Sequence, residues 1–288
     1  MSSSRPNLVI IGATKCGTTS LHYYLSHHPE IFMSKTKELR YFEKHRDKDV
    51  SWYEAQFRSD ARIRGEASPQ YTRFPLIADV PPRMHAVIPD AKLIYIIRDP
   101  IDRIVSHYME RLGQFRETRS LAEVLDDERK RFKYVCESRY HSQIEQYLTY
   151  FPPSQLLIVT LEELHADRQQ TLANVFRFLG VDDRFSCPAF ESALNESSTK
   201  RRKTWIADVL YPPSMRQVMR KDVLPFPLRR AYMGLISMIS EPAERPALAP
   251  AVIESLVQDL RDDFCALKQF TGRDFGHWRH AALLSGTR

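Results

Sequence analysis

The chain has 288 residues, of which 43% are hydrophobic and 27% charged, and these ordinary globular values exclude the disordered and fibrous classes. Its 42 Lys and Arg residues outnumber its 36 Asp and Glu residues and leave a formal net charge of +6. This surplus predicts an anionic partner: a nucleic acid, a membrane surface, or a phosphorylated or sulfated small molecule. The four cysteines show no CxxC spacing, and the sequence contains no HExxH motif. We therefore predict neither a disulfide framework nor a protein-bound metal.

Two further features of the sequence bear on location. The N-terminal sequence MSSSRPNLVIIG passes from a short polar start straight into an apolar run, without the cationic region and cleavage site of a secretory signal. The longest uncharged candidate for a membrane helix, residues 231–240, is well short of the roughly 20 apolar residues that a span requires. We therefore expect a cytoplasmic protein without an integral membrane segment.

Strand-like apolar runs alternate with helical patterns along most of the chain. This alternation predicts an α/β fold with a central, mostly parallel sheet and helices on both of its faces. The runs LVII (residues 8–11), LIYIIR (93–98) and LLIVT (156–160) are typical of strands that are buried on both sides.

The loop after the first strand carries the strongest functional signal. The strand ends at Gly12, and Gly17 follows five positions later at the start of a helix, a spacing typical of loops that hold a phosphate. The backbone N–H groups and the dipole of such a helix favour an anion. Thr18 stands where nucleoside triphosphatases have the Lys of G-x-x-x-x-G-K-[ST], so their arrangement of Lys and magnesium is absent. Lys15, within the loop, can instead reach a bridging oxygen between a 5′-phosphate and a transferable group.

A second anion site is predicted where the strand 93–98 ends. Arg98 lies at the carboxyl end of this strand, where open α/β sheets gather their ligands. Asp99 is a suitable N-cap, and Pro100 a suitable first residue, for the helix that follows. Ser106 lies two turns into that helix and can face the same pocket, and a guanidinium with a hydroxyl suits a phosphate monoester.

The last part of the sequence predicts further helices and one irregular segment. Thr160 and Glu163 form a capping-box pattern, and Gly180 marks the expected end of the helix that they begin. A final amphipathic helix is predicted from the apolar spacing over residues 253–267. Between them, residues 211–250 are rich in proline, and we predict a helical or loop excursion near the substrate cleft, with a solvated surface segment as the alternative. The excursion contains a basic cluster of Arg216, Arg220, Lys221, Arg229 and Arg230.

Five motifs together resemble those of sulfotransferases that use 3′-phosphoadenosine 5′-phosphosulfate (PAPS). They are KxGTT at 15–19, KExxYF at 37–42, GEASP at 65–69, RDPxxRxxS at 98–106 and NxSxxKxR at 195–202. The chain is most similar to the branch that contains the heparan sulfate sulfotransferases and many bacterial relatives. Because the motifs and a closing TGRDFGHW segment span nearly the whole sequence, the resemblance implies one P-loop-type catalytic domain over residues 1–288, with the excursion at about 211–250.

The resemblance also implies a co-substrate and its ligands. The first loop would bind the 5′-phosphosulfate of PAPS, and the 98–106 motif, with the basic loop near residue 200, would bind its 3′-phosphate. Cys16 is expected to be a small neutral filler, and Arg103 is expected to be a structural residue or to lie at the rim of the cleft. The implied nucleotide-binding residues are Thr14, Lys15, Cys16, Gly17, Thr18, Thr19, Ser20, Arg98, Ser106, Lys200, Arg201 and Arg202.

Sulfuryl transfer requires that the attacking hydroxyl or amine lose its proton, which a carboxylate or a histidine within hydrogen-bond reach can accept. The KExxYF motif resembles the segment that supplies the base in this branch, which implies Glu38 as the general base. Lys15 would stabilise the leaving phosphate and the sulfuryl group in flight. The residues expected near the acceptor are Lys37, Glu66, Ser68 and Tyr71, with Glu66 also a secondary candidate for the base.

The acceptor and the base retain alternatives. Several eukaryotic members have a Lys where this chain has Ala67, so a heparan-type acceptor does not follow from the resemblance. The acceptor class therefore stays open among carbohydrates, lipids and small molecules. Three histidines, His45, His107 and His141, are further candidates for the base. His107 directly follows Ser106 on a helix, and we expect it to point away from the phosphate.

Two other functional classes account for parts of the sequence. A P-loop nucleotide kinase or NTPase would share the glycine loop, but Thr18 replaces its Lys and no strand ends in a clear magnesium-binding Asp. A basic nucleic-acid-binding protein would share the charge, but the basic residues lie in loops after strands, and no known nucleic-acid module occurs. We therefore predict a PAPS-dependent enzyme with no nucleic-acid partner and no metal.

Overall fold

A five-stranded sheet forms the centre of the computed structural model, which describes residues 5–191, 201–202, 210, 226–238 and 240–286. The strands are β1 (Leu8–Gly12), β2 (Ile31–Met33), β3 (Ile63–Ala67), β4 (Lys92–Ile97) and β5 (Leu156–Thr160). All of them run parallel, in the order β2-β3-β1-β4-β5. The predicted α/β fold with a mostly parallel sheet is thereby confirmed.

Helices connect most of the strands, because a parallel strand must return to the same end of the sheet before the next one begins. The helices are α1 (Thr18–Leu25), α2 (Val50–Glu54), α3 (Val80–Val87), α4 (Pro100–Gly113), α5 (Leu121–Asp126), α6 (Glu128–Cys136), α7 (Tyr140–Leu148), α8 (Leu161–Ala166), α9 (Arg168–Leu179), α10 (Phe226–Met238), α11 (Pro250–Thr271) and α12 (Ala281–Ser285). A short antiparallel pair, β6 (Arg201–Arg202) with β7 (Glu241–Pro242), lies beside α4. No helix in the described ranges is long and apolar enough to cross a membrane.

Two apolar layers enclose the sheet. Side chains alternate between the faces of a strand, so that Val9 and Ile11 of β1 pack with α4, α7 and α11, whereas Leu8 and Ile10 pack with α1 and α9. Both faces are buried, and for this reason the strand is a continuous apolar run rather than an alternating one.

The structure also departs from the expected elements in two places. β2 and β3 were not recognised as full strands, since β2 has only three residues and β3 contains Gly65 and Glu66. The capping box of Thr160 and Glu163 is present, but α8 ends after six residues, and the side chain of Asp167 caps the new helix α9. Gly180 ends α9 in the left-handed conformation, as the sequence predicts.

The order of the strands fixes the position of the functional site. β1 lies between β3 and β4, and the connections that leave β1 and β4 lead into α1 and α4. The connection from β1 leads toward one edge of the sheet, and the connection from β4 leads toward the other edge. Where the connections from two neighbouring parallel strands diverge in this way, a crevice opens at the carboxyl ends of those strands. The loop before α1 and the residue Arg98 before α4 therefore meet at the carboxyl ends of these two central strands.

Candidate functional site

A cleft of about 1240 Å³ opens at the carboxyl ends of the strands. Its described lining carries nine Lys or Arg side chains against five Asp or Glu side chains. The positive surplus of the whole chain is thus concentrated in a concave site of small-molecule size, which favours an anionic small molecule over an extended polyanion.

The loop between β1 and α1 forms the floor of the cleft. Its conformation depends on Gly17, whose φ of 88° is accessible to glycine at little cost, and a Cβ there would lie 2.6 Å from Cδ1 of Leu161. Among the described residues no side chain caps α1, and Thr18, Thr19 and Ser20 of its first turn line the cleft with Thr14. The first turn of α1 is therefore available to an anion.

Lys15 projects from this loop into the cleft. Its Nζ donates a hydrogen bond to Oε1 of Glu110 at 3.1 Å, and both side chains are only partly exposed. Glu110 lies on α4, one helical turn beyond Ser106, and none of the five sequence motifs includes it. The i, i+4 spacing from Ser106 to Glu110 would have placed it on the same face of the helix.

Arg98 also contacts this loop. It donates from Nη1 to the backbone oxygen of Lys15 at 3.4 Å, and its Nη2 lies 3.8 Å from Oδ2 of Asp102. Its Nε is buried, and no hydrogen-bond acceptor for it occurs in the described part of the chain. A guanidinium that keeps a buried donor free beside a helix N-terminus has the chemistry for binding a phosphate.

One stripe of α4 faces the cleft, and it is wider than expected. Ser106 lines the cleft as predicted, and so does His107, which we expected to point away. The helix contributes side chains at 102, 106, 110 and 114 and also at 107 and 111, so two adjacent rows share the cleft. Burial, followed by the charges of Arg103 and Arg111, lowers the pKa of His107 well below its ordinary value, so its imidazole is neutral at pH 7.

Glu38 lies at the other side of the cleft with Lys37. The Nζ of Lys37 donates to Oε1 of Glu38 at 3.0 Å, and Nε2 of Gln70 donates to Oε2 at 2.9 Å. Partial burial alone would raise the pKa of Glu38, but the Lys37 ammonium and the Gln70 amide outweigh it and lower the pKa below its ordinary value. Glu38 is therefore ionised at neutral pH and half-buried in the cleft.

Three residues that we expected near the acceptor lie in the core instead. Glu66 and Ser68 are 0% exposed and Tyr71 is 2% exposed, and none of them lines the cleft. Oε1 of Glu66 accepts from Tyr71 at 3.0 Å, and Oε2 accepts from Ser68 at 2.6 Å. The physical reason is that β3 is covered on both faces, so the side chains at its end point into the core.

The remaining predicted residues fall into three groups. Cys16 is fully buried against Tyr140 and does not line the cleft, and burial raises the pKa of its thiol to about 11. Arg103 is also 0% exposed and donates to Ser138, in agreement with a structural role. Lys200 lies outside the described residues, as do Arg216, Arg220 and Lys221 of the excursion. Arg201 and Arg202 form β6, beside α4.

The end of the excursion reaches the cleft through Arg245. Its Nη2 lies 2.6 Å from Oδ1 of Asp102, so Asp102 contacts both Arg245 and Arg98. Asp99, next to it, caps α4 and accepts hydrogen bonds from the backbone and ring of His280. The side chains of Asp99, Asp102 and His280 come within 4.8 Å of one another. Their hydrogen bonds explain this cluster, and the absence of a metal stays a prediction.

Comparison with known proteins identifies the family. The sulfotransferase domain family matches residues 5–210, which is well over half of the chain, and the protein belongs to this family. A solved sulfotransferase from Alicyclobacillus acidocaldarius superposes with a TM-score of 0.68 at 26% identity and covers 96% of this chain and 99% of its own.

Curated relatives match over shorter stretches. The Dictyostelium discoideum membrane-associated sulfotransferase kil1 is 38% identical over 108 residues, which are 36% of this chain and 22% of that protein. Human heparan sulfate glucosamine 3-O-sulfotransferase 6 is 30% identical over 183 residues, 61% of this chain and 52% of that protein. The chain thus matches about half, or less, of the length of these relatives.

Proposed function

We propose that the protein transfers a sulfuryl group from PAPS to a hydroxyl or amine of an acceptor and releases adenosine 3′,5′-bisphosphate. One observation carries the proposal: a single cleft brings together Lys15 and the uncapped start of α1, the buried free donor of Arg98, and an ionised Glu38. Membership of the sulfotransferase family supports the same activity.

The nucleotide would lie across the floor of the cleft. Residues 14 and 17–20 would hold its 5′-phosphosulfate at the start of α1, and Arg98 with Ser106 would hold its 3′-phosphate. β6 lies beside α4, which supports a role for its residues Arg201 and Arg202 at the same phosphate. Cys16 would contribute only by packing beneath the loop, since its side chain is buried.

The reaction needs one base and one cation. Glu38 accepts the proton as the acceptor oxygen or nitrogen forms its bond to sulfur, and the bond from sulfur to the bridging phosphate oxygen breaks. Lys15 stabilises the negative charge that develops on that oxygen. A sulfuryl group carries less charge than a phosphoryl group, so a lysine in this place suffices without a metal ion.

The acceptor would enter beside Glu38. Lys37, Gln70 and Arg73 line this side of the cleft, and the Nε of Arg73 is held by Oε1 of Glu137 at 2.7 Å. We propose a carbohydrate, lipid or small-molecule acceptor, and one catalytic domain that acts in the cytoplasm. The sulfotransferase relatives that act on heparan sulfate glucosamine support a sugar as the first class to test.

Thermal stabilisation by ligands tests the proposal directly. We expect a saturable rise in Tm with adenosine 3′,5′-bisphosphate that needs no metal, and none with ATP and magnesium or with duplex DNA. A screen of acceptors with labelled PAPS then identifies the substrate. A rise with ATP and magnesium alone would favour a P-loop kinase, and a rise with DNA alone would favour a nucleic-acid-binding protein.

A further inference from the structure

The buried carboxylate of Glu66 has three hydroxyl donors and no cation beside it in the described structure. Oε1 accepts from Tyr53 at 2.8 Å and from Tyr71 at 3.0 Å, and Oε2 accepts from Ser68 at 2.6 Å. A carboxylate in the core is costly unless hydrogen bonds replace those that it made to water. In this protein the hydroxyls of Tyr53, Tyr71 and Ser68 supply those hydrogen bonds.

Two of the three hydroxyls lead on to the segment that carries Glu38. Oγ of Ser68 accepts from the backbone N–H of Arg40 at 3.0 Å, and the hydroxyl of Tyr71 accepts from that of Phe42 at 3.4 Å. Tyr53 differs, because it reaches this segment only through its ring, which stacks on Tyr41 with the centroids 4.4 Å apart.

The carboxylate determines which way these hydroxyls point. Burial raises the pKa of Glu66, and the hydrogen bonds from Ser68, Tyr53 and Tyr71 oppose this rise by stabilising the carboxylate. In its ionised form the carboxylate can only accept hydrogen bonds, so it draws the protons of Ser68 and Tyr71 toward itself. Each hydroxyl oxygen then presents a lone pair to the backbone N–H of the neighbouring segment. If the side chain at position 66 could also donate a hydrogen bond, it would no longer fix the orientation of the Ser68 and Tyr71 hydroxyls.

The segment has a conformation that needs such support. Glu38 and Arg40 have φ values of 61° and 52°, and a left-handed conformation costs a non-glycine residue about 1–2 kcal/mol. The Glu38 N–H also donates to the backbone oxygen of Ala67, at the end of β3, at 3.0 Å. The backbone around Glu38 is therefore fixed from β3 and from the two hydroxyls bound to Glu66.

We infer that Glu66 is a positioning residue, which acts through Ser68 and Tyr71 to hold the Glu38 segment against the cleft. The inference rests on the proposed role of Glu38 as the base. Glu66, Ser68 and Tyr71 would thus contribute to the rate indirectly, through the position of Glu38, and not by contacting the acceptor.

Two matched substitutions in the full-length protein test this inference. Ser68→Ala removes a donor to Glu66 together with its link to Arg40, whereas Tyr53→Phe removes a donor to Glu66 that has no such link. We expect both variants to lose similar stability. Only Ser68→Ala should lower kcat, by about tenfold or more, because displacing a catalytic group by about 1 Å can cost up to 100-fold. The Kd for adenosine 3′,5′-bisphosphate should stay unchanged in both.

Hydrogen exchange provides a readout that does not depend on activity. In Ser68→Ala the amides of residues 38–42 should exchange several-fold faster than in the wild type, and in Tyr53→Phe they should not. Equal effects of the two substitutions on exchange and on kcat would overturn the inference. If Ser68→Ala fails to fold, Tyr71→Phe, which removes the link to Phe42, takes its place. A wild-type protein that transfers no sulfuryl group would refute the proposed function instead, and the exchange comparison would still decide whether the hydroxyls bound to Glu66 position the segment.

Discussion

The two sides of the cleft are held in place by different means. The nucleotide side, residues 13–17, is fixed by the backbone: Ala13 donates to the backbone oxygen of Ile96 at 2.6 Å, and Gly17 supplies the left-handed turn. The base side, residues 38–42, also contains left-handed residues that are not glycine, as Lys15 is on the nucleotide side, but two of its backbone N–H groups are bound by buried side-chain hydroxyls.

This difference matches what each side must do. A loop that offers backbone N–H groups to an anion needs a fixed backbone, and the identity of most of its side chains matters little. A general base needs one side chain at one distance from the acceptor, which requires support around that side chain. We therefore expect substitutions on the nucleotide side to change binding and substitutions on the base side to change kcat.

The largest effect is expected from Glu38→Gln, on the base side. The amide keeps the shape of the side chain but cannot accept the acceptor proton, and a general base contributes about 10²–10⁴-fold to the rate. kcat for transfer from PAPS should fall by this factor, while the Kd for adenosine 3′,5′-bisphosphate, measured by calorimetry, stays the same. Full activity in the variant would place the base elsewhere, and neutral His107 would be the next residue to substitute.

On the nucleotide side, Arg98→Ala should weaken binding instead. Hydrogen bonds to charged groups contribute about 1.5–3 kcal/mol each, so losing the guanidinium should raise the Kd for the bisphosphate by about 10–100-fold. Arg98→Lys, which keeps the charge but loses the planar fork, should recover part of this loss. An unchanged Kd in Arg98→Ala would mean that the 3′-phosphate is bound by other residues.

The same difference explains which parts could be predicted from the sequence. The nucleotide side depends on local geometry, so Gly12, Gly17 and the cap at Asp99 leave a recognisable pattern, and β1, β4, β5 and α4 were predicted correctly. The base side depends on contacts between distant segments, such as the one between Arg40 and Ser68. Burial of Glu66 and the direction of His107 follow from packing around β3 and α4, which no local pattern records.

A smaller effect, still on binding, is expected from Gly17→Ala. An alanine in the left-handed conformation costs about 1–2 kcal/mol, and its Cβ would press on Leu161. Gly272→Ala is a matched control, because Gly272 has a φ of 66°, no atom lies within 4 Å of the added Cβ, and the residue ends α11. Urea denaturation should show a loss of stability in both, larger in Gly17→Ala because of the contact with Leu161, and calorimetry should show weaker bisphosphate binding only in Gly17→Ala. If both variants bind the bisphosphate as the wild type does, bisphosphate binding does not depend on the backbone conformation at Gly17.

Lys37→Met should change the pH dependence of catalysis. Because the Lys37 ammonium contributes to lowering the pKa of Glu38, its removal lets that pKa rise. Glu38 must be ionised to act as a base, so the acidic limb of the kcat profile should move to higher pH. Lys35→Met is the control, since Lys35 is exposed and makes no described contact with Glu38, and its profile should match the wild type. If the acidic limb of Lys37→Met stays at the wild-type pH, the ionisation that causes this limb is not that of Glu38.

The smallest effect is expected from Glu110→Gln, where the two sides of the cleft meet. The Nζ of Lys15 lies 3.1 Å from Oε1 of Glu110. The bisphosphate must therefore compete with this carboxylate for Lys15, and the negative charge of Glu110 also repels it. Partly exposed ion pairs contribute about 0–1 kcal/mol, and the Kd for the bisphosphate should therefore fall by about fivefold at most. Glu54→Gln, which breaks a comparable pair with Arg5 outside the cleft, should leave the Kd unchanged. A higher Kd in Glu110→Gln would mean that Glu110 orients Lys15 toward the nucleotide rather than competing with it, and Glu110 would then belong to the binding side.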